Sequence, residues 1–395
     1  MTRELDLVVF GATGFTGRLV AEYLARAGDR PRWAIAGRNR EKLAALGFDV
    51  PILVADAHDP AALADIARRT KVVCTTVGPY AKYGSALVAA CAEAGTHYCD
   101  LSGEPAWMRQ MIDAHHERAR TTGARIVHTC GYDSIPSDLG TWALQQEMIA
   151  RFGGPAHKVT ALFGESSGSL SGGTVASGIE TARQGAASRD VRKILANPYG
   201  LDPDPLAERP PSPDETGIGW EPHLKMFTLP FLMAQINTRV VRRSHALAGQ
   251  PWGTDFVYRE VMSTPGNARG LAMAATVFGG LGAIAFALKR PWLRDQLAKR
   301  APQPGEGPSR EQRERGHWKV RFLGERDNAR LVYIAADPHG DPGYASTAKM
   351  LGECALSLAL DPLTSEGGVL TPSVAMGQHL VDRLRRAGLT FSVAG

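Results

Sequence analysis

The chain of 395 residues is 44% hydrophobic and 22% charged, a composition that excludes the disordered and fibrous classes of protein. Its length predicts two domains, or one domain with a large elaboration. The net charge is +5, and the basic residues are spread among acids, so nucleic-acid binding is not expected. A basic cleft for an anionic cofactor and attraction to an anionic membrane surface both fit this charge.

The first residues and the five cysteines indicate the compartment. The chain opens MTRELDLVVF, where acids interrupt the start and a strand follows at once, unlike a signal peptide with a basic head and an apolar middle. The cysteines form no C-x-x-C pair and lie at no zinc-ligand spacing from a histidine, which predicts reduced, mostly buried thiols and no metal site. We therefore expect a cytoplasmic protein.

In the first third of the chain, short apolar runs alternate with amphipathic helical patterns. This alternation is typical of repeated βα units and a parallel sheet. The predicted fold class is α/β, with a Rossmann doubly wound parallel sheet over residues 1–140 and a ligand crevice at the carboxyl ends of its strands. The six predicted strands are Leu5–Phe10, Trp33–Ala36, Ile52–Val54, Val72–Thr76, His97–Cys99 and Arg125–His128.

Beyond about residue 140 the alternation becomes irregular, which predicts a second, mixed α+β domain over 141–370 for substrate binding or oligomerisation. Two segments rich in Pro and charge, Asn197–Pro222 and Ala301–Gly316, are predicted to be exposed connections.

An uncharged run of nineteen residues, Gly270–Leu288, precedes the second connection. It approaches the length that crosses a bilayer, but its Ala and Gly content makes its hydrophobicity marginal. Three interpretations stay open: a buried or oligomer-forming helix, which would give a homodimer, a helix attached to a membrane surface, and a spanning helix.

The leading motif is the strand LDLVVF followed directly by the turn GATGFTG and an amphipathic helix. Gly11 permits the tight turn, Gly14 the close approach of a pyrophosphate, and Gly17 the packing of the helix on the strand. The predicted cofactor-binding residues of this turn are Gly11, Thr13, Gly14, Phe15, Thr16 and Gly17. The alternative is a glycine-rich turn that holds no ligand.

Arg38 follows the second strand, where an NAD site has an acid for the ribose hydroxyl and an NADP site has a cation for the 2′-phosphate. Arg38 therefore favours NADP(H), unless it is only a surface arginine at a helix start. Further along, Asp56 is predicted to line the adenine pocket. Gly78 is predicted to lie where the nicotinamide-side ribose passes.

Hydroxyl and carboxylate side chains follow the later strands, in the segments Tyr98–Glu104 and Gly131–Asp138. Such groups orient a substrate carbonyl or supply a proton, but Ser134 and Asp138 could equally cap a helix. Tyr80, after a Gly-Pro turn, could contact substrate or only pack.

Taken together, GATGFTG, AGR, VGPY, HYCDLSGE and GYDSIPSD resemble the saccharopine dehydrogenase-like oxidoreductases. PGEGPSREQRERG and GGVLTPSVAMGQHLVDRL resemble the branch of that family that holds the actinobacterial trans-acting enoyl reductases. The resemblance implies a Rossmann domain, a second domain, a C-terminal helix over 371–395 that returns to the first, and an NAD(P)-linked redox reaction.

Enoyl reductases of this branch act beside polyketide synthases that lack their own reductase domain, in the synthesis of long-chain glycolipids. The resemblance therefore implies a small-molecule or carrier-bound acyl substrate and a polyketide synthase partner. An apolar helix near the membrane would suit a lipidic substrate and would place the protein at the periphery of the plasma membrane. For the enolate and its proton, the candidate catalytic residues are Tyr80, Tyr132 and Ser134. An amino-acid or imine oxidoreductase stays open, as does a membrane-associated dinucleotide-binding protein without turnover.

Overall fold

The computed structural model describes residues 3–167, 172–290, 292–293, 296 and 307–395. Two seven-stranded sheets form its framework, sheet A with strand order β13-β6-β5-β4-β1-β2-β3 and sheet B with order β14-β12-β11-β7-β10-β9-β8. All the strand pairs in sheet A are parallel. The predicted α/β class with a Rossmann sheet is confirmed.

Sheet A and its helices come mainly from the first third of the chain. Its strands are β1 (Leu5–Phe10), β2 (Trp33–Gly37), β3 (Ile52–Val54), β4 (Thr70–Thr75), β5 (His97–Cys99), β6 (Arg125–Val127) and β13 (Gly368–Leu370). The helices between its first six strands are α1 (Phe15–Leu24), α2 (Arg40–Ala44), α3 (Pro60–Arg69), α4 (Tyr80–Tyr83), α5 (Ser85–Ala94) and α6 (Pro105–Thr122). The six predicted strands are all present, and β13 is a seventh that the sequence patterns did not indicate.

The central strand β1 explains why this sheet is covered on both faces. All six of its residues are buried, as expected for a parallel strand between two layers of helices. On one face α1 buries Val20 and Leu24. The helix α3 begins where Asp59 accepts hydrogen bonds from two backbone amides and Pro60 occupies the first turn.

Sheet B is mixed, because β10 pairs with β7 in parallel while the other pairs are antiparallel. Its strands are β7 (Lys158–Ser167), β8 (Gly219–Glu221), β9 (Met226–Pro230), β10 (Val257–Pro265), β11 (His317–Arg326), β12 (Ala329–Asp337) and β14 (Thr390–Val393). Its helices are α7 (Ile135–Phe152), α8 (Gly172–Ala187), α9 (Arg189–Ala196), α10 (Ala234–Leu247), α11 (Ala268–Lys289) and α12 (Arg310–Glu314).

The last part of the chain contributes elements first to the layers of sheet A and then to sheet B. A π-helical turn at Pro342–Ser346 leads into α13 (Thr347–Leu360), which packs against α1 and β4. Both α13 and β13 lie within the range 141–370, yet both belong to the layers of sheet A. The final helix, α14 (Pro372–Arg386), packs on α7 and α13, and β14 then pairs with β12.

The expectation that Asn197–Pro222 is an exposed connection holds only in part, because Leu206 is 93% exposed while other residues of the segment are buried. Leu201 and Asp202 are buried in it. Arginines of α10 hold the segment by donating to its carbonyl oxygens, at 2.9 Å from Arg242 to Pro198 and 2.6 Å from Arg243 to Leu201. In the second predicted connection, residues 301–306 lie outside the described residues, and Ser309 forms a capping box at the start of α12.

The apolar helix α11 lies mostly in the open. Of its 22 residues, only Gly270 and Ala274 are buried, and the helix packs on β9, β10 and α8. Its first turn is fixed because a Cβ on Gly270 would lie 1.7 Å from the carbonyl oxygen of Pro265. An 18-residue window of the helix has a mean hydropathy of 2.0, and by length and composition alone the helix could cross a membrane. A buried core helix, one of the three interpretations, is therefore wrong within this chain.

All five cysteines are free thiols buried in the core, as predicted. Burial raises the pKa of Cys99 and of Cys130, so these thiols stay protonated. Among the described residues, no group of three or more His, Cys, Asp or Glu side chains could hold a metal ion.

Candidate functional site

The glycine turn after β1 has the conformation that its sequence predicts. Gly11 has a φ of +92°, which favours glycine, and its carbonyl accepts a hydrogen bond from Gly14 N at 3.0 Å. A Cβ on Gly17 would lie 2.2 Å from the Gly11 carbonyl oxygen, so α1 can pack on the turn only with glycine there. By contrast, a Cβ on Gly14 would meet only the Gly11 oxygen, at 3.3 Å. The turn therefore leaves open space in front of Gly14.

The N-terminus of α1 suits an anion. No side chain among the described residues caps it, and Thr13 and Gly14 are exposed, while Thr16 is half-buried. The free amides and the helix dipole there favour a phosphate group. The side chain of Phe15 has a packing role, because its ring contacts the Tyr344 ring at 4.9 Å between centroids. Only its backbone amide remains for a cofactor.

Arg38 follows β2 directly, is exposed, and has no carboxylate within ion-pair distance among the residues that the structure describes. The next residue, Asn39, accepts a hydrogen bond from Lys42 N at 2.8 Å and caps α2. Arg38 is thus free to meet a phosphate. Asp56 is also exposed, and its carboxylate accepts from His58 N at 2.9 Å, which forms a tight turn after β3.

The turn after β4 separates Gly78 from Tyr80. Gly78 is exposed, and its peptide bond to Pro79 is cis. Tyr80 is buried and stacks on Trp107 at 5.6 Å between ring centroids. Its hydroxyl donates to the carbonyl of Thr75 at 3.3 Å and accepts from Leu101 N at 3.1 Å. Because both hydrogen-bonding directions are occupied by backbone, Tyr80 is placed as a structural residue and not as a proton donor.

The carboxylates of the segment Tyr98–Glu104 also hold the fold. Asp100 is buried, and its Oδ2 accepts from the Tyr98 hydroxyl at 2.8 Å and lies at the same distance from His128 Nδ1. Glu104 accepts from Tyr80 N at 2.8 Å and from the Ser177 hydroxyl at 3.0 Å. The second contact fixes α8 beside the turn that contains Gly78.

Tyr132 lies between the two sheets. It follows β6, and its backbone amide donates to Thr347 Oγ1 at 3.1 Å, in the helix that continues from Tyr344 beside the glycine turn. Its half-buried ring packs edge-on against Trp318 of β11 at 5.0 Å and against Phe163 of β7 at 6.3 Å. Its hydroxyl has no hydrogen-bond partner within the described part of the chain. Burial and then the charges of Glu260 and Asp133 raise the Tyr132 pKa.

Ser134 and Glu260 belong to one buried chain of hydrogen bonds beneath Tyr132. The Ser134 hydroxyl donates to Asn237 Oδ1 at 2.9 Å, and Asn237 Nδ2 donates to Glu260 Oε1 at 2.6 Å. The other Glu260 oxygen accepts from the Tyr258 hydroxyl at 2.9 Å. Burial raises the pKa of Glu260 to about 7, although its hydrogen bonds oppose that shift. Ser134 is therefore linked to a carboxyl group that can be protonated near neutral pH.

The sequence patterns missed Asn237 and Glu260. Glu260 and Tyr258 are two residues apart on β10, so they share one face of the strand, and both are buried. A carboxylate on the inward face of a strand is costly unless it is paired. The position of Glu260 in the strand pattern is therefore the signal that could have found it.

Two aspartates near Ser134 differ in role. Burial raises the pKa of Asp133 to about 6, and the nearby charge of Asp100 adds to the effect. Asp138 does not cap its own helix; its carboxylate accepts from Ser244 Oγ and from the hydroxyl and the first-turn amide of Ser373 in α14. Asp138 therefore joins α7 to α10 and α14.

Comparison with known proteins identifies relatives along the whole chain. Residues 7–127 match the model of the saccharopine dehydrogenase NADP-binding domain. A Mycobacterium tuberculosis protein named as a candidate trans-acting enoyl reductase is 45% identical over 98% of this chain and 97% of its own length. The trans-acting enoyl reductase of Mycobacterium ulcerans is 41% identical over 99% of this chain and 98% of its own length.

A solved structure shares the fold. Saccharopine dehydrogenase (L-Glu forming) from Saccharomyces cerevisiae aligns with a TM-score of 0.53 at 13% identity, over 98% of this chain and 99% of the other. The two chains therefore share the overall fold.

Proposed function

Since the chain belongs to the saccharopine dehydrogenase-like oxidoreductases, in the branch of the trans-acting enoyl reductases, we propose that it reduces an enoyl thioester during lipid or polyketide synthesis. It is an NADP(H)-dependent oxidoreductase. Tyr132 carries the finer proposal, because its ring packs against Phe163 and Trp318 at the junction of the two sheets and its hydroxyl has no partner among the described residues.

The residues around the glycine turn fit the cofactor. The open space at Gly14 and the free amides of α1 would hold the pyrophosphate, and the unpaired Arg38 would hold the 2′-phosphate. When bound, NADPH supplies a hydride for the β-carbon of the enoyl group.

Tyr132 would stabilise the enolate that the reduction creates and supply its proton. A tyrosine hydroxyl is protonated at neutral pH, and the raised pKa of Tyr132 preserves that state, so the hydroxyl can donate a hydrogen bond to the thioester oxygen. Glu260 lies close enough for its charge to act on Tyr132, and its own pKa of about 7 lets it hold a proton there. Ser134 positions Asn237 beneath this pair.

The walls of the junction favour an apolar substrate over an amino dicarboxylate. Phe163 stacks on Phe231 at 4.4 Å, next to Tyr132. The buried arginines of α10 are already bound to backbone carbonyls, so they are not free to pair with substrate carboxylates. An acyl chain delivered by a carrier protein, as from a polyketide synthase of glycolipid synthesis, fits such walls better than an ionic substrate.

The test is an enoyl-thioester reduction assay with NADPH and with NADH, using two matched tyrosine variants. We expect Tyr132→Phe to lower kcat by at least about a hundredfold, because it loses the proton donor. We expect Tyr80→Phe to lower the unfolding midpoint while keeping most of kcat, because that hydroxyl binds only backbone.

Two results would contradict the proposal. Turnover with an imine and none with an enoyl thioester would favour an amino-acid oxidoreductase. Binding of NADPH without turnover across both substrate classes would favour a protein that binds the dinucleotide without catalysis.

A further inference from the structure

The exposed helix α11 cannot cross a membrane once and leave the chain on the far side. Strands that precede it, β7 and β10, share sheet B with strands that follow it, β11 and β12. Both ends of α11 therefore lie on the same side of any bilayer. A return path would have to pass through residues 291–306, and by sequence that stretch carries three basic residues and two acids. Contact from one side is the arrangement that this topology permits.

The free surface of α11 is large and apolar. Its 22 residues extend for about 33 Å, and no charged side chain lies between Arg269 and Lys289. Its exposed large side chains are Leu271 (45% exposed), Met273 (47%), Phe278 (39%), Ile284 (44%) and Phe286 (55%). A patch of this kind on a protein surface marks a contact with a partner or a lipid.

The C-terminal end of α11 identifies which contact. Lys289 and Arg290 end the apolar stretch, and the Arg290 guanidinium lies 5.0 Å from the centre of the Phe286 ring. Trp292 follows and is 66% exposed. By sequence, residues 289–300 carry five basic residues and one acid. Exposed tryptophan beside clustered Lys and Arg is the combination that meets a headgroup region with anionic lipid.

We propose that α11, with Lys289 and Arg290 at its end, docks the protein on the surface of an anionic lipid bilayer. The apolar side chains enter the boundary between headgroups and acyl chains, and Lys289 and Arg290 pair with lipid phosphates. Parallel pairing with a second copy of the chain would bring the two basic ends together, and antiparallel pairing is an outcome that the test below separates from lipid docking. This docking does not depend on the proposed reaction.

The position of α11 relates the lipid surface to the cofactor crevice. The helix packs on α8, and α8 contacts the turn after β4 through Ser177 and Glu104. Glu180 of α8 also pairs with Lys82 at 3.1 Å. One helix thus separates the lipid-facing surface from the turn that contains Gly78.

The test is co-sedimentation of the full chain with vesicles of phosphatidylcholine alone and of phosphatidylcholine mixed with phosphatidylglycerol. We expect binding to the mixed vesicles, and we expect the double charge reversal Lys289→Glu with Arg290→Glu to weaken it by at least about tenfold. Phe286→Asp should weaken binding similarly. Phe152→Asp is the matched control, since Phe152 is 42% exposed on α7, and it should bind as the original chain does.

Light scattering and NADPH binding complete the experiment. Retained NADPH binding in every variant shows that the fold is intact, because no substituted residue lies in the cofactor site. If the original chain binds neither vesicle type, or if Phe286→Asp converts a dimer to a monomer without changing vesicle binding, lipid docking is overturned. Failure of the enoyl-thioester assay would leave the vesicle result unaffected.

Discussion

The helices α10 and α11 show opposite relations between composition and burial. Arg239, Arg242 and Arg243 of α10 are all at most 3% exposed. An 18-residue window of α11 has a mean hydropathy of 2.0, yet this helix buries little more than its first turns. Hydropathy alone would predict that α11 is buried and that α10 is exposed, which is the opposite of what the structure shows. Burial in this chain depends on whether a helix face meets partners of matching chemistry.

The partners of α10 are backbone carbonyl oxygens of the segment before it. Arg242 donates to Pro198 and Ser212, and Arg243 donates to Leu201 and to Val369 of β13. The terminal nitrogens of both guanidinium groups are hydrogen-bonded, while the Nε of each is buried without a partner among the described residues. A guanidinium is tolerated in a core when most of its donors are bonded, and an irregular segment has carbonyls that no sheet or helix uses. The arginines and the segment 197–222 therefore stabilise each other, whereas no described segment covers the apolar face of α11 in this way.

The largest expected effect on the unfolding free energy comes from removing one buried arginine of α10. We expect Arg243→Ala to lower the free energy of unfolding by roughly 3 to 5 kcal/mol, because two charge-assisted hydrogen bonds are lost and two buried carbonyls remain unpaired. The measurement is the urea midpoint followed by circular dichroism. The control is Arg189→Ala on α9, whose side chain is exposed. Equal losses in the two variants would show that the arginine contacts contribute nothing specific.

A second effect comes from Glu260, which is held by Asn237 of α10. Its pKa rises from 4.5 to about 7 on folding, so the folded state binds its proton more tightly than the unfolded state. The resulting stabilisation is complete below pH 4.5 and is lost as the pH rises through about 7. It amounts to about 3 kcal/mol. Glu260→Gln should remove this component from the pH dependence of unfolding.

The measurement is the difference in unfolding free energy between the original chain and Glu260→Gln, at several pH values from about 4 to about 8. Taking the difference isolates Glu260 from Asp133 and Asp138, whose pKa values are also raised, to about 6. A difference that stays constant over this range would contradict a raised pKa for Glu260.

The sequence predicted sheet A well because its signals are local. The glycine turn, the buried run of β1 and the position of Arg38 depend on residues close together in the chain. The exception is β13, a three-residue strand in a glycine-containing stretch, which is too short to show any periodicity. It joins sheet A because it pairs with β6, more than two hundred residues earlier.

The candidate site was harder to predict because its parts come from distant segments. Tyr132 was identified from its position after a strand, but Glu260 and Asn237 reach it from β10 and α10. Tyr80 occupies an equivalent strand end, yet Trp107 of α6 covers it. Which tyrosine stays open depends on packing between elements, and periodicity along the chain does not contain that information.

The smallest expected effect uses two isoleucines, one in each of the compared helices. Ile236 of α10 is 3% exposed, and Ile284 of α11 is 44% exposed. We expect Ile236→Ala to lower the unfolding free energy by about 2 to 3 kcal/mol, because it leaves a cavity in the core. Ile284→Ala should change it by less than about 0.5 kcal/mol in the absence of lipid, since that side chain has little buried contact to lose. A loss of similar size at Ile284 would mean that α11 is covered in solution by another copy of the chain, and α11 would then be partnered as α10 is.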